Sequence, residues 1–259
     1  MRLIALILFI TGTTGLWAQE NISVKMIDLA IDSSMQSAFV VEIPEASAKK
    51  AIKIWEDRLV PKNLLSTFKK VPRMEKTNKD TWQIDGIVIE EICADSLSIT
   101  TRITPLKGKI VFATLYKTPS GFIGSANTNN DLTERTRKFL RSHAIEVYKD
   151  AVAEELDQLE KELKKMNNSY DAYSKDNRKL KRKTDDSEST LELMTNTEKN
   201  QTGATTLEEL KEIEKERKAQ KKYAKKIDNN SAKQKKLSKE IRKKEKEIEA
   251  VEEKLKNIR

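Results

Sequence analysis

A heptad of apolar residues runs through the C-terminal half of this chain, and it permits one kind of structure there: long helices lying along a partner helix. Val152, Leu156, Leu159, Leu163, Met166, Tyr170, Tyr173, Asn177 and Leu180 follow one another at alternating steps of four and three. Thr184, Ser187, Leu191 and Met194 continue in phase, with a weak point at Asp185-Asp186-Ser187 where a bend or fraying is expected. A second run reads Ile213, Glu216, Gln220, Tyr223, Ile227, Asn230, Gln234, Leu237, Ile241, Lys244, Ile248, Val251, Leu255 and Ile258. A mean step of 3.5 residues holds such a stripe against its partner over many turns. Thr195 to Thr206 breaks the pattern, and Thr206-Leu-Glu-Glu209 has the form of a capping box that opens a new helix. The predicted arms are therefore 131–194 and 206–258, joined by a loop at 195–205. An antiparallel hairpin is the economical closure, and parallel arms from separate chains are its rival. Asn177, Gln220, Asn230 and Gln234 on the seam weaken the packing and help to set register in either case.

Residues 37–123 follow a different rule. Phe39, Val41 and Ile43 alternate as a strand that ends at Pro44. Ser47 precedes Ala48, Ile52, Trp55 and Leu59, one side of a helix that stops before Pro61. Three more strands are predicted: Thr81–Ile89 with Trp82, Ile84 and Val88 on one face and a bulge at Gly86; Leu97–Thr104; and Ile110–Lys117. Further edge strands are expected at 23–30, 71–77 and 122–123. The fold class is α+β: a small antiparallel sheet with one packed helix, its core holding Trp55, Trp82 and Phe112, followed by the coiled coil. The domain spans 19–125, with a polar linker at 126–130. Helical patterning resumes at Asp131, with Asp131 or Thr133 as the cap. Leu132, Phe139, Leu140, Ile145 and Val147 are placed to pack back on the sheet before the seam begins.

The chain opens on MRLIALILFITGTTGLWA, with Arg2 as the lone charge, an apolar run over Leu3–Ile10 and small residues before a cut after Ala18. The run is too short and too diluted by Thr and Gly to serve as an anchor. Cleavage would leave a periplasmic or secreted protein that begins at Gln19 and has no stable membrane insertion. The lone Cys93 cannot form an internal disulfide, which fits a bacterial envelope. The sequons at Asn21 and Asn200 are then chance matches.

From Phe39 to Lys117, the strand, the Trp-bearing helix Ala48-Lys-Lys-Ala-Ile52-Lys-Ile-Trp55, the loop and the three alternating strands resemble small exported Bacteroidetes domains of unknown function described as having a TBP-like fold. The Ala18-Gln19 junction is similar to theirs. The resemblance implies a fold and a location, and it brings no catalytic residues. The long coiled coil departs from the short members of that group.

The net charge is +9, from 50 Lys and Arg against 41 Asp and Glu. Residues 126–259 hold 34 basic and 28 acidic groups, interspersed as on the solvated faces of a coiled coil. Basic clusters at Arg178–Lys183 and Lys233–Lys236 have acidic neighbours and no interleaved aromatic platform, so nucleic acid is not the expected partner. Chemistry is thinly provided for. His143 is the only histidine and has no second His or Cys with which to complete a metal set. Cys93 has acidic sequence neighbours that disfavour a thiolate. Glu90 and Glu91 are adjacent, so in a strand they would face opposite sides. The expectation is a non-enzymatic envelope protein without cofactor or metal. Its coiled coil would bind a protein partner or mediate self-association, and a periplasmic holdase with basic helical arms is the alternative.

Overall fold

The computed structural model describes residues 22–31, 34–60, 72–125, 128–200 and 207–259. The signal-peptide reading, the Gln19 junction and the threonine of the capping box lie outside them. Among the described residues, seven strands form one antiparallel sheet. These are β1 (Val24–Ile31), β2 (Ser34–Pro44), β3 (Glu75–Asn78), β4 (Thr81–Ile89), β5 (Cys93–Leu106), β6 (Lys109–Thr118) and β7 (Gly121–Phe122). The order is β1-β2-β6-β5-β4-β3, with β7 paired to β6. Because β6 lies between β2 and β5, its alternate residues Ile110, Phe112 and Tyr116 meet neighbours from both sides: Phe112, for example, is level with Val41 and Ile103. These residues are almost fully buried and form the centre of the core.

Helix α1 (Ala48–Leu59) packs on that face. Ser47 caps it, its hydroxyl accepting a hydrogen bond from the Lys50 amide at 3.3 Å. Trp55 meets Phe112 edge-on at 5.4 Å between centroids and donates its indole N–H to Thr101 Oγ1 at 2.9 Å, so the one polar atom of a buried indole is satisfied.

The face carries a second helix as well as α1. Helix α2 (Asn130–Asn200) begins beside the sheet, and Phe139, Leu140, Ala144, Val147 and Tyr148 of its first turns are buried. Leu132 and Ile145 are half-buried. Its cap is Asn129, ahead of both predicted residues, with Oδ1 accepting from the Asp131 amide at 2.9 Å. The compact unit consequently extends past 125. One unit comprises the residues up to Ala153 together with Lys254–Arg259, and Glu154–Glu253 form the other. Arg141 shows how the last residues belong to the first unit, since it donates to the main-chain oxygens of Ile22 at 3.0 Å and Arg259 at 3.3 Å.

Two core assignments change. Trp82 faces the same side as Ile84 but lies near the sheet edge beside the short β3, and it is half-buried. Gly86 has φ +73°, and the β4–β5 register shifts between Ile84 and Ile87. The bulge turns Ile87 inward and leaves Val88 56 % exposed.

The second unit is a hairpin of α2 and α3 (Leu207–Asn257). Glu162 meets Lys244, Tyr173 meets Lys233, Asp176 meets Asn230 and Lys183 meets Tyr223. Eleven residues forward from Glu162 to Tyr173 are eleven back from Lys244 to Lys233, and ten more to Lys183 are ten back to Tyr223. The arms are antiparallel and in constant register. Helix α2 runs through Asp185–Ser187 without interruption and past Met194, as the hydroxyls of Ser189 and Thr190 bond back to carbonyls one turn earlier.

Candidate functional site

The sheet unit gathers its aromatic residues around His143. The imidazole is fully buried, 4.6 Å from the Trp55 ring and 5.0 Å from Phe112, and neither ring nitrogen meets a hydrogen-bond partner among the described residues. Burial, with a smaller contribution from the Arg58 guanidinium, pulls its pKa from 6.5 down to about 3. A neutral, enclosed ring of this kind is a core residue, and the sequence alone did not place it so deep. Arg58 closes the cluster over Phe139, 4.4 Å from the ring centroid, and reaches Glu146, Glu91 and Ser142. Tyr116 is buried with its hydroxyl unpartnered among the described residues, and burial raises its pKa.

The other sequence candidates scatter. Cys93 is half-buried, its sulfur 3.7 Å from the Asp95 carbonyl. Glu90 and Glu91 occupy the turn between β4 and β5, both exposed, so the strand argument about opposite faces does not apply to them. Among the described residues, no three His, Cys, Asp or Glu side chains are grouped to hold a metal. A cavity of about 390 Å³ lies on the sheet face away from α1, lined by Lys25, Ile27, Val40, Glu42, Lys107 and Lys109 among others. Lys109 pairs with Glu42 and, chiefly through that hydrogen bond, holds the carboxylate below its usual pKa.

The hairpin is where the sequence candidates converge. Val152, at the end of the sheet unit, and Leu180 are buried; Leu156, Leu159, Leu163, Met166 and Tyr173 are half-buried. On α3, Ile213 and Val251 are buried, Tyr223, Ile227, Leu237, Ile241, Ile248 and Leu255 half-buried, and Ile258 is buried within the sheet unit. Tyr170 is 37 % exposed, lying over the level where its own carbonyl accepts from Gln234 Nε2 at 3.4 Å. A polar layer interrupts the stripe. Asn177 Nδ2 donates to Gln234 Oε1 at 3.1 Å, and Asn230 Nδ2 donates to Asp176 at 2.9 Å. Lys244, also on the seam, reaches out to Glu247 at 2.8 Å and Glu162 at 3.0 Å. Its pKa is raised, first by the bond to Glu247 and then by that to Glu162. The two stripes thus face each other within one chain, although Asn177 Oδ1 and the Ser187 hydroxyl are buried without a hydrogen-bond partner among the described residues.

Among the described residues, no helix is long and apolar enough to cross a membrane. Comparison with family models, with curated proteins and with solved structures found no match.

Proposed function

We propose that this chain is a non-enzymatic exported envelope protein of the bacterial type, a small α+β module whose helical hairpin is its protein-binding element. The α+β module is read as akin to the exported Bacteroidetes domains with a TBP-like fold. The observation that carries the reading is the closure of the seam between α2 and α3 of one chain. A hairpin whose two stripes cover each other needs no second copy to cover them, so its outer faces are left for a partner. Among the described residues of the sheet unit, no constellation joins a nucleophile, a base and an orienting group, which is what an enzymatic reading would rest on. N-terminal mass spectrometry of the protein from fractionated cells tests the location: a chain starting at Gln19 in the envelope fraction is expected, and an intact Met1 in the membrane pellet would sink it. A pull-down from envelope extract, with and without residues 154–253, tests the hairpin as the binding element. The second reading, a holdase, draws support from Leu207 and Leu210, which are 71 % and 53 % exposed near the end of the hairpin. Suppression of aggregation of several unrelated unfolded proteins would distinguish it from a scaffold with one partner.

A further inference from the structure

Closure of the hairpin brings two segments that are each rich in basic residues to the same levels. The register sets 163–183 of α2 beside 223–243 of α3, a stretch of about 30 Å at 1.5 Å per residue. These two segments hold sixteen basic residues and four acidic ones, a net of +12 in a chain whose total is +9. One of the four acids, Asp176, is occupied by the Asn230 amide. All sixteen basic residues are exposed. Among the described residues only Lys243 of the sixteen is in an ion pair, at 3.8 Å from Glu247, while Lys183 and Lys233 rest over the hairpin's own Tyr223 and Tyr173. The adjoining stretch, 154–162 beside 244–252, is the reverse, with nine acidic residues and three basic. The basic side chains project from both flanks and both backs of the hairpin, since the stripe between the helices is filled by the seam. A planar surface would meet only some of them; an extended, flexible chain can follow them round.

We infer that the band formed by 163–183 and 223–243 docks an extended acidic polypeptide segment, and that exposed leucines beyond the band receive its apolar side chains. This rests on the hairpin being the protein-binding element. The charge of the band selects a polyanion. Leu207 and Leu210, three residues apart on one face of α3 and 71 % and 53 % exposed, select among polyanions. A nucleic-acid backbone or an anionic polysaccharide offers no aliphatic side chains for them, whereas a polypeptide carries both chemistries. Tyr170 is the one exposed aromatic of the band, a single ring where successive bases would need several, and the band's apolar stripe is turned inward, away from any lipid.

The test is a titration of the full mature chain with a labelled Glu-rich peptide containing interspersed Leu. A matched Glu/Ser peptide, a DNA duplex and phosphatidylglycerol vesicles are run alongside. Binding of the Glu/Leu peptide is expected to be tightest and to weaken with salt. K181Q/R182Q/K235Q/K236Q should reduce it roughly ten-fold with helicity unchanged by circular dichroism. L207S/L210S should abolish the preference for the Glu/Leu over the Glu/Ser peptide. Duplex or vesicles binding as tightly as the peptide would overturn the polypeptide assignment, and an unaltered affinity in the quadruple variant would overturn the band. If one envelope protein is recovered equally by the wild type and the quadruple variant, this inference fails while the hairpin reading stands. If it is recovered equally without residues 154–253, the hairpin reading itself fails.

Discussion

His143 is the residue on which its surroundings act most strongly. In an unfolded chain it takes up a proton near pH 6.5, and in the native core it does so only near pH 3. Between those values the unfolded state binds more protons, so the folded state loses about 1.4 kcal/mol for each unit of falling pH. The contribution is complete above pH 6.5. Denaturant titrations at pH 7.5, 5.5 and 4.5 should therefore show a steeper acid loss for the wild type than for His143→Leu, which has nothing to protonate. The two partly comparable tryptophans give a second prediction. Trp55→Ala should cost about 3–5 kcal/mol, the usual range for a large buried aromatic. It also strands the Thr101 hydroxyl. Trp82→Ala should cost roughly 1–2 kcal/mol, because a half-buried ring gives up less area to water. Urea unfolding of the two variants would order them.

At the scale of the element, α2 serves two structures. Its first turns complete the sheet's core, and the rest forms half of the hairpin. A fragment ending at residue 127 removes the buried Phe139, Leu140, His143, Ala144 and Val147, of which Phe139 and His143 lie against Trp55, and it should lack the dispersed amide spectrum of a folded domain. The hairpin should be separable in the other direction. Leu180, 7 % exposed, is a knob of the seam, and Leu180→Asp replaces its apolar packing by a charge that must give up water to stay there. Hydrogen exchange should speed up across 154–253 in this variant, with protection retained in β2, β5 and β6. Loss of protection in the strands as well would show that the two units unfold together.

For the whole molecule, the antiparallel register makes a prediction about assembly. Cysteines at 176 and 230, in a Cys93→Ser background, replace a hydrogen-bonded pair within one chain. They should crosslink to a monomeric species at every protein concentration. Crosslinks that form only between chains, in proportion to concentration, would mean that the arms exchange partners in solution.

Much of this fold was legible in the sequence for a local reason. The period of 3.5 in the arms and of 2 in the strands follows from backbone geometry, and Pro44, Ser47 and the heptads mark their elements without help from distant residues. Where the sequence misled, a neighbour had decided the matter. Val88 lost its inward position to Ile87 because the Gly86 bulge added a residue to β4. Trp82 is left half-buried by the shortness of β3. The burial of His143 could not be read from the sequence, because nothing in Arg141-Ser-His-Ala-Ile145 reveals that a tryptophan and a phenylalanine from other elements will enclose it. The basic clusters Arg178–Lys183 and Lys233–Lys236 were legible one by one, but only the pairing of α2 with an antiparallel α3 brings the sixteen basic residues of the two segments to the same levels. Periodicity is a property of a segment and can be read from it; burial and charge density depend on which segments meet, and that is decided by the tertiary structure.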